Sequence, residues 1–372
     1  MSLNSFNGVL TLADGQRLFF KTHTEPDNVI GEYYRAELLA GAGYPVIQPV
    51  FASNEAGRQL LIYEVIDDPS VFDVAWEIET GTSDLLPALT TAQNRADDAL
   101  LEVYLKTLQH QSAEDAAQAA VHQLFFHRLT GGRLTRFYGT SGDDIQVELP
   151  GKTTTMAEMR RVKWVINGQH YHETLDGLID RAVHLLQPAQ SGPAVIGHGD
   201  AHNGNVFFRR QEQTLLYFDP AFAGAHHPLL DLTKPLFHNV FAMWMYFPQV
   251  KHEQTNITLQ SEGGVWRVEH GYALHPVREM FLRSKVERVL LPILLELQER
   301  GWLRRDWRDY LKAALLCCPF LTLNLADHDK FSPKIRLLGL SMAVEIGAES
   351  HTQRSLIDRL LDDVEGHLTR NG

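Results

Sequence analysis

The hydrophobic pattern of the first 66 residues predicts a small β-rich region. Residues 8–12 and 17–23 alternate in polarity around the turn signal Ala13-Asp14-Gly15-Gln16, which predicts a hairpin with Lys21 on its second strand. Residues 46–52 and 59–66 are also strand-like, and apolar residues recur at helical spacing over the preceding residues 28–41. The pattern thus predicts four strands, at residues 8–12, 17–23, 46–52 and 59–66, and one helix at residues 28–41.

The remainder of the chain has a mainly helical pattern. Asp67 to Ser70 interrupts the strand pattern, so we expect one domain over residues 1–66 and a second over residues 67–372. Short strands flank a polar loop within residues 194–218, and alternation over residues 255–268 indicates a surface hairpin. Helices are expected at residues 97–110, 112–130, 173–186, 276–300, 306–318, 333–347 and 355–368. The predicted fold class is therefore α+β, with a small sheet lobe and a large helical lobe.

Length and charge narrow the possible functions. A chain of 372 residues is too long for one ordinary core, which agrees with two lobes. The formal net charge of -12 argues against a nucleic-acid partner and against an anionic membrane. The same charge favours a cationic small molecule over an anionic one, although solubility alone accounts for most acidic surfaces.

Cysteine usage and the N-terminus indicate a cytoplasmic protein. Cys317 and Cys318 are adjacent in an apolar stretch, so we expect buried thiols and neither a disulfide framework nor a cysteine-based zinc site. The first residues lack a basic segment followed by an apolar one, which is the mark of a secretion signal. No apolar run is long enough to span a bilayer.

The densest group of polar side chains lies in the loop His198–Asn205. Asp219 follows fourteen residues after Asn205, so a hairpin would place it beside the loop. Phosphoryl transfer needs a carboxylate that takes a hydroxyl proton, oxygen ligands for magnesium and a lysine near the phosphate oxygens. Asp200, the Asn205 and Asp219 pair, and Lys21 supply these groups, so we predict an ATP- and Mg²⁺-dependent phosphotransferase.

This loop resembles the catalytic loop of the aminoglycoside phosphotransferase and choline kinase-like superfamily, whose members have a bilobal, protein-kinase-like fold. The superfamily loop reads His-Gly-Asp-x-His-x-x-Asn, and residues His198–Asn205 match all five fixed positions. The segment Asp219–Gly224, followed by Pro228 and Asp231-Leu232, is similar to the metal-binding segment of that superfamily. Its Asp-Pro-Ala opening resembles fructosamine kinases in particular.

The resemblance implies a role for each matching residue. Asp200 would be the catalytic base, and Asn205 and Asp219 would be the magnesium ligands. Lys21 would contact the α- and β-phosphates of ATP, with an ion-pair partner on the following helix. That partner would be Glu32 or else Glu37. Glu64 and Ile66 would contact adenine at the hinge between the lobes. The structural residues near the loop would be His198, His202 and Asp231.

The acceptor implied by the resemblance is a hydroxyl on a small molecule, such as an aminoglycoside, an amino alcohol or an amino sugar. One departure concerns the nucleotide. The superfamily places a strand and a nucleotide-covering loop before the hairpin, and only about seven residues precede Gly8 here.

Two other functions remain open from the sequence. A kinase fold that has lost activity with its phosphate loop would be a binding protein. A metallohydrolase would use His198, Asp200 and His202 as ligands, with Asp219, His226 or His227 in addition. The second alternative leaves Asn205 and Lys21 without a role.

Overall fold

The computed structural model describes residues 5–23, 35–53, 55, 60–140 and 145–371. Its strands are β1 Ser5–Thr11, β2 Arg17–His23, β3 Phe51–Ser53, β4 Leu60–Glu64, β5 Gln109–Gln111, β6 Gln146–Leu149, β7 Lys152–Thr155, β8 Lys163–Ile166, β9 Gln169–Tyr171, β10 Gly192–Gly197, β11 Val206–Arg209, β12 Thr214–Tyr217, β13 Gly224–His226, β14 Ile257–Glu262, β15 Val265–His270 and β16 Ser350–His351. Its helices are α1, described over residues 35–42, then α2 Val71–Glu79, α3 Leu86–Thr107, α4 Ala113–Ala117, α5 Phe126–Leu129, α6 Arg133–Tyr138, α7 Met156–Met159, α8 Leu175–Leu185, α9 Pro228–His238, α10 Met243–Tyr246, α11 Pro248–Gln254, α12 Pro276–Lys285, α13 Leu291–Glu299, α14 Trp307–Leu321, α15 Pro333–Gly347 and α16 Leu356–Asn371. The chain also has 3₁₀ turns at Ala120–Leu124 and Asn203–Asn205 and a π-helical turn at Val286–Leu290.

The N-terminal sheet has the strand order β1-β2-β4-β3. The predicted hairpin is confirmed, since β1 and β2 pair antiparallel. Lys21 lies opposite Leu61 on β4 and is only 6% exposed, which is unusual for a lysine on a strand.

The strand predicted at residues 46–52 is mostly wrong. Only β3, at its end, joins the sheet, while Val46 forms an isolated bridge with Tyr217. Pro45 and Pro49 lie on either side of that bridge and cannot donate backbone hydrogen bonds, which limits pairing along this stretch.

The single helix predicted at residues 112–130 is also wrong. Ser112 caps α4 through its Oγ atom, which accepts a hydrogen bond from Asp115 N at 3.1 Å, but the helix ends at Ala117. Ala119 is extended, and a 3₁₀ turn and α5 follow it. This break lets Val121 and Phe125 both reach the core, so tertiary burial overrides local helical preference.

The helical lobe is built around α14. Residues 310–321 of this helix are all buried, as expected for a helix at the centre of a lobe, and Cys317 and Cys318 are buried free thiols. Four predicted C-terminal helices are confirmed, with α12, the π turn and α13 forming the first of them. Among the described residues, no helix is long and apolar enough to cross a membrane.

The hairpin predicted at residues 255–268 exists as β14 and β15, but it is not a free surface hairpin. β15 pairs in parallel with β8 inside a five-stranded sheet, and Trp266 is buried.

The two lobes meet at the hairpin β11–β12. Tyr217 N donates to Pro45 O at 2.8 Å, and Ile47 N donates to Tyr217 O at 2.9 Å. Phe208 N donates to Pro69 O at 2.9 Å. The segment between α1 and β3 and the connection that follows β4 are therefore both hydrogen-bonded to the hairpin that lies between Asn205 and Asp219. The small sheet lobe and the larger helical lobe confirm the predicted α+β organisation.

Candidate active site

Asp231 on α9 holds the backbone of the loop between β10 and β11. Gly199 N donates to Asp231 Oδ1 at 2.5 Å, and His226 Nε2 lies 3.0 Å from the same oxygen. The Tyr104 hydroxyl donates to Oδ2. Burial by itself would raise the pKa of Asp231, but the bonds from His226, Tyr104 and Gly199 N outweigh burial and lower that pKa to about 2. Asp231 is therefore ionised, and it holds the backbone of the loop through Gly199 N.

Position 199 can accommodate only a glycine without strain. Its φ of 80° is a left-handed conformation, and a Cβ atom there would lie 2.5 Å from the backbone oxygen of Phe222. The close approach of residue 222 fixes the direction in which the loop leaves β10.

His198 holds the backbone on the other side of the loop. It is fully buried, with Nε2 3.0 Å from Phe218 O and Nδ1 accepting from Asp200 N at 3.4 Å. Both ring nitrogens of His198 are thus occupied by backbone groups.

Asp200 presents a carboxylate with spare hydrogen-bonding capacity. Its Oδ1 atom is buried and has no hydrogen-bond partner among the described residues. Burial alone would raise the pKa of Asp200, but electrostatic interactions, that with Lys234 foremost, outweigh burial, so the pKa lies below the usual carboxyl value. Asp200 is consequently ionised near neutral pH and able to accept a proton.

Asn205 and Asp219 are brought together by the hairpin, as the sequence predicted. Phe218 N donates to Asn205 O at 3.1 Å, which places the residue after Phe218 beside Asn205. The Asn205 Nδ2 atom donates to Asp200 O at 2.9 Å, so the side-chain oxygen of Asn205 is the atom left for a ligand. Asp219 has a left-handed backbone, with φ of 55°, at the end of the hairpin.

Lys21 reaches this group from the other lobe. Its Nζ atom lies 2.9 Å from Asp219 Oδ1, and the Lys21 side chain is 8% exposed against 33% for Asp219. A lysine this buried in a sheet needs a partner, and Asp219 provides one across the space between the lobes.

The other residues that were predicted to contact the nucleotide or Lys21 all belong to the domain of residues 1–66. Glu32 lies outside the described residues. Glu37 is exposed on α1, and the ion pairs between described residues do not include one from Glu37 to Lys21. Glu64 is an exposed residue at the end of β4, and Ile66 is half-buried just beyond it.

His202 caps the 3₁₀ turn of the loop through Nδ1, which accepts from Gly204 N at 3.1 Å. Its Nε2 atom lies 4.0 Å from Asp200 Oδ2. Burial lowers the pKa of His202 more than the charge of Asp200 raises it, so the ring is held neutral. His202 therefore positions the loop and adds no charge to it.

Sequence reasoning missed a set of polar residues on α9. Lys234 is buried, with Nζ 3.9 Å from Asp200 Oδ1 and 3.4 Å from His238 Nε2. The Tyr246 hydroxyl lies 2.7 Å from His238 Nδ1. The available signal was a lysine and a histidine four residues apart in a fully buried helix, where they share one face.

The site does not form a transition-metal cluster of the kind expected for a metallohydrolase. No three His, Cys, Asp or Glu side chains within the described ranges converge closely enough to hold an ion. His198 has both ring nitrogens bonded to backbone, so it cannot ligate a metal with Asp200 in this arrangement.

Comparison with known proteins gave matches among solved structures only. No family model matches the chain, and no curated protein matches it.

Three solved structures illustrate the structural matches. A thermostable mutant of aminoglycoside phosphotransferase APH(4)-Ia, in its apo form, is 12% identical over 93% of this chain and 92% of its own, with a TM-score of 0.49. Amicoumacin kinase hAmiN, in complex with AMP-PNP, Ca²⁺ and Ami, is 15% identical over 93% and 86%, with a TM-score of 0.42. An aminoglycoside-3'-phosphotransferase of type VIII is 17% identical over 84% and 88%, with a TM-score of 0.43.

Proposed function

We propose that the protein transfers the terminal phosphoryl group of ATP to a hydroxyl group of a small molecule. The observation that carries the proposal is the convergence of Asp200, Asn205 and the Lys21–Asp219 pair from three separate segments of the chain. Positioning and charge stabilisation are the main requirements of phosphoryl transfer, and these side chains supply both.

Asp200 acts as the base. Its ionised carboxylate accepts the proton of the acceptor hydroxyl through Oδ1, which has no other hydrogen bond among the described residues. The acceptor oxygen forms a bond to the γ-phosphorus of ATP. The bond from that phosphorus to the β–γ bridging oxygen breaks, and its electron pair leaves with ADP.

Asn205 and Asp219 are the residues that would hold magnesium. An amide oxygen and a carboxylate are the hard oxygen ligands that this ion prefers, and the Asn205 amide is oriented by its bond to Asp200 O. When bound, magnesium neutralises charge on the phosphate oxygens. Lys21 is placed to contact the same oxygens, since its ammonium already lies beside Asp219.

The domain of residues 1–66 would bind the nucleotide and that of residues 67–372 the acceptor. The backbone at Glu64 and Ile66 would meet the adenine ring, and Glu32 would pair with Lys21. These contacts are part of the proposal and can be tested by substitution.

The decisive experiment measures nucleotide binding and phosphate transfer together. Wild-type protein should be stabilised against thermal unfolding by Mg·ATP and should form phosphorylated product from ATP and a panel of hydroxylated small molecules. Asp200→Asn should lose about a hundredfold or more in turnover while keeping nucleotide affinity. Asp363→Asn, at an exposed position of α16, is the matched control.

Two results would contradict the proposal. Turnover of Asp200→Asn at the wild-type rate would remove Asp200 from the role of base. No stabilisation by Mg·ATP, together with no transfer to any acceptor, would favour a kinase fold that only binds its ligand.

A further inference from the structure

Three cations whose charges interact with Asp200 have no part in the proposed reaction. Lys234 comes from α9, Arg128 from α5 and Arg133 from α6, and all three segments pack against α14. The Lys234 Nζ atom lies 3.9 Å from Asp200 Oδ1, and the charge of Asp200 also raises the pKa of Arg128 and of Arg133.

Arg128 lacks the partners that a partly buried guanidinium normally has. Its side chain is half-buried and its Nη1 atom is fully buried with no partner. None of the hydrogen bonds and ion pairs that the structure gives for the described residues involves the Arg128 side chain. Buried charge without a partner is costly, so retention of Arg128 points to a ligand that supplies the missing negative charge.

Arg133 is held nearby in a fixed orientation. Its Nη1 atom donates to Leu321 O at 3.2 Å and to Thr322 O at 2.8 Å, at the C-terminal end of α14. Burial, together with the neighbouring charges of Arg128 and Arg136, lowers the pKa of Arg133 to about 10, so it still carries its charge at neutral pH.

Lys234 completes the group beside the proposed base. Its distance of 3.9 Å from Asp200 Oδ1 is too long for a hydrogen bond, so neither group satisfies the other. Within the described residues this is the only ion pair made by any of the three cations. His202 and His238 add no charge, since burial lowers the pKa of both rings.

We propose that the phosphoryl acceptor is an anion, a hydroxylated small molecule whose carboxylate, phosphate or sulfate group binds among Arg128, Arg133 and Lys234. This inference rests on the proposed function, because it assigns the substrate class of that site. Three cations against one carboxylate leave the acceptor side net positive, and oxyanions are the ligands that arginine recognises best.

This inference differs from the expectation of a cationic acceptor that the net charge of -12 suggested, and measured phosphate transfer decides between the two. Net charge is summed over the whole surface, whereas a ligand in a cleft responds to the charges that line it. The three cations named above outnumber the one carboxylate, Asp200, on which their charges act.

The first test uses sulfate as the probe. Sulfate is a tetrahedral oxyanion, and it has no hydroxyl group on a carbon atom to which the proposed reaction could transfer a phosphoryl group. Sulfate binding is measured by calorimetry on wild-type protein, with saturating Mg·AMP-PNP and again without nucleotide, against chloride at equal ionic strength. We expect binding in both conditions and a loss of about tenfold or more in affinity in Arg128→Met. Arg161→Met, at an exposed position, is the matched control.

Thermal unfolding of the same variants separates a ligand-binding role from a structural one. Arg128→Met should unfold at the wild-type temperature or above in the absence of ligand, because it removes an unpaired charge. A clear loss of stability in Arg128→Met would show that the guanidinium supports the fold, and this would overturn the inference. Arg128→Lys should retain part of the sulfate affinity.

The second test compares acceptors that share a carbon skeleton and differ in charge. Phosphate transfer from ATP is measured to glycerate against 3-amino-1,2-propanediol and to gluconate against glucosamine. We expect kcat/KM to favour the anion of each pair, and Arg128→Met to raise KM for the anion about tenfold or more while KM for ATP is unchanged.

The outcomes distinguish this inference from the proposed function. Transfer that favours the amines, or a wild-type protein that does not bind sulfate in either condition, overturns the anionic acceptor and leaves the kinase assignment standing. An equal loss of ATP and sulfate affinity in Arg128→Met would assign the cations to the nucleotide phosphates, which also overturns it. Sulfate binding by a protein that does not bind Mg·AMP-PNP would instead contradict the proposed function alone.

Discussion

The ammonium nitrogen of Lys21 lies 2.9 Å from Asp219 Oδ1, although the two residues belong to different lobes. Lys21 is on β2 of the N-terminal sheet, and Asp219 ends the hairpin that passes beneath it. This ion pair closes one side of the space in which Asp200 and Asn205 lie.

Substitution of Lys21 should weaken nucleotide binding with little effect on folding. In Lys21→Met the Asp219 carboxylate loses its partner but keeps access to water, since its side chain is one-third exposed. We expect affinity for Mg·ATP to fall by about tenfold to a hundredfold, the usual value of a hydrogen bond between charged groups. Calorimetric titration measures the change, and Lys163→Met on the exposed face of β8 is the control. If Lys21→Met bound Mg·ATP with the wild-type affinity, Lys21 would not contact the phosphates.

Substitution of Asp219 should remove the dependence of nucleotide binding on magnesium. Wild-type protein should bind ATP more tightly with Mg²⁺ than with EDTA, and this ratio should approach one in Asp219→Ala because a carboxylate ligand is lost. Asn205→Ala should reduce the ratio less, since an amide oxygen carries no net charge. Titration under both conditions gives the ratio directly. An unchanged ratio in Asp219→Ala would place the ion elsewhere.

Acid should reduce the stability contributed by Asp231. Its folded pKa of about 2 lies below the ordinary value of 3.8, so its contribution is fully present above about pH 4 and is lost as the pH falls toward 2. The linked free energy is about 2 kcal/mol. We expect Asp231→Asn to be less stable than wild type from pH 5 to 7, with the difference shrinking below about pH 4. Urea unfolding across this range tests the sign, with Asp363→Asn as the control.

Replacement of Gly199 should damage both stability and turnover, and Gly81 allows strain and steric overlap to be separated. Both glycines have positive φ, at 80° and 75°, but a Cβ atom at Gly81 meets nothing within 4 Å. Gly81→Ala should cost about 1 kcal/mol of stability with normal turnover. Gly199→Ala should cost more, because its Cβ atom would displace residue 222 and with it the loop that carries Asp200. Equal effects of the two substitutions would show that only backbone strain matters.

The sequence predicted those parts of the site that are encoded locally. The loop His198–Asn205 and the hairpin that brings Asp219 beside it both follow from short patterns of apolar and polar residues. The pairing of Lys21 with this group followed from a motif resemblance, since nothing near Lys21 in the chain identifies its partner.

Lys234 and Arg128 could not be predicted in the same way. Their surroundings depend on the packing of α5, α9 and α14, and the spacing of residues along one helix does not identify the groups that pack against it. For the same reason the helix predicted at residues 112–130 failed, since burial of Val121 and Phe125 by distant elements decided where it broke. The charge of the acceptor stays a prediction, because composition does not record which charges share a cleft.

The hydrogen bonds from the hairpin β11–β12 to Pro45, Ile47 and Pro69 have a mechanical consequence. Pro45 and Ile47 belong to the domain of residues 1–66, so a rotation of that domain that preserves their bonds to Tyr217 has an axis that passes close to Tyr217. Asp219 lies two residues beyond Tyr217 and hence near that axis, so it sweeps through the shortest arc. Opening of the lobes would thus widen the far rim of the cleft for nucleotide exchange while Asn205 and Asp219 keep their spacing.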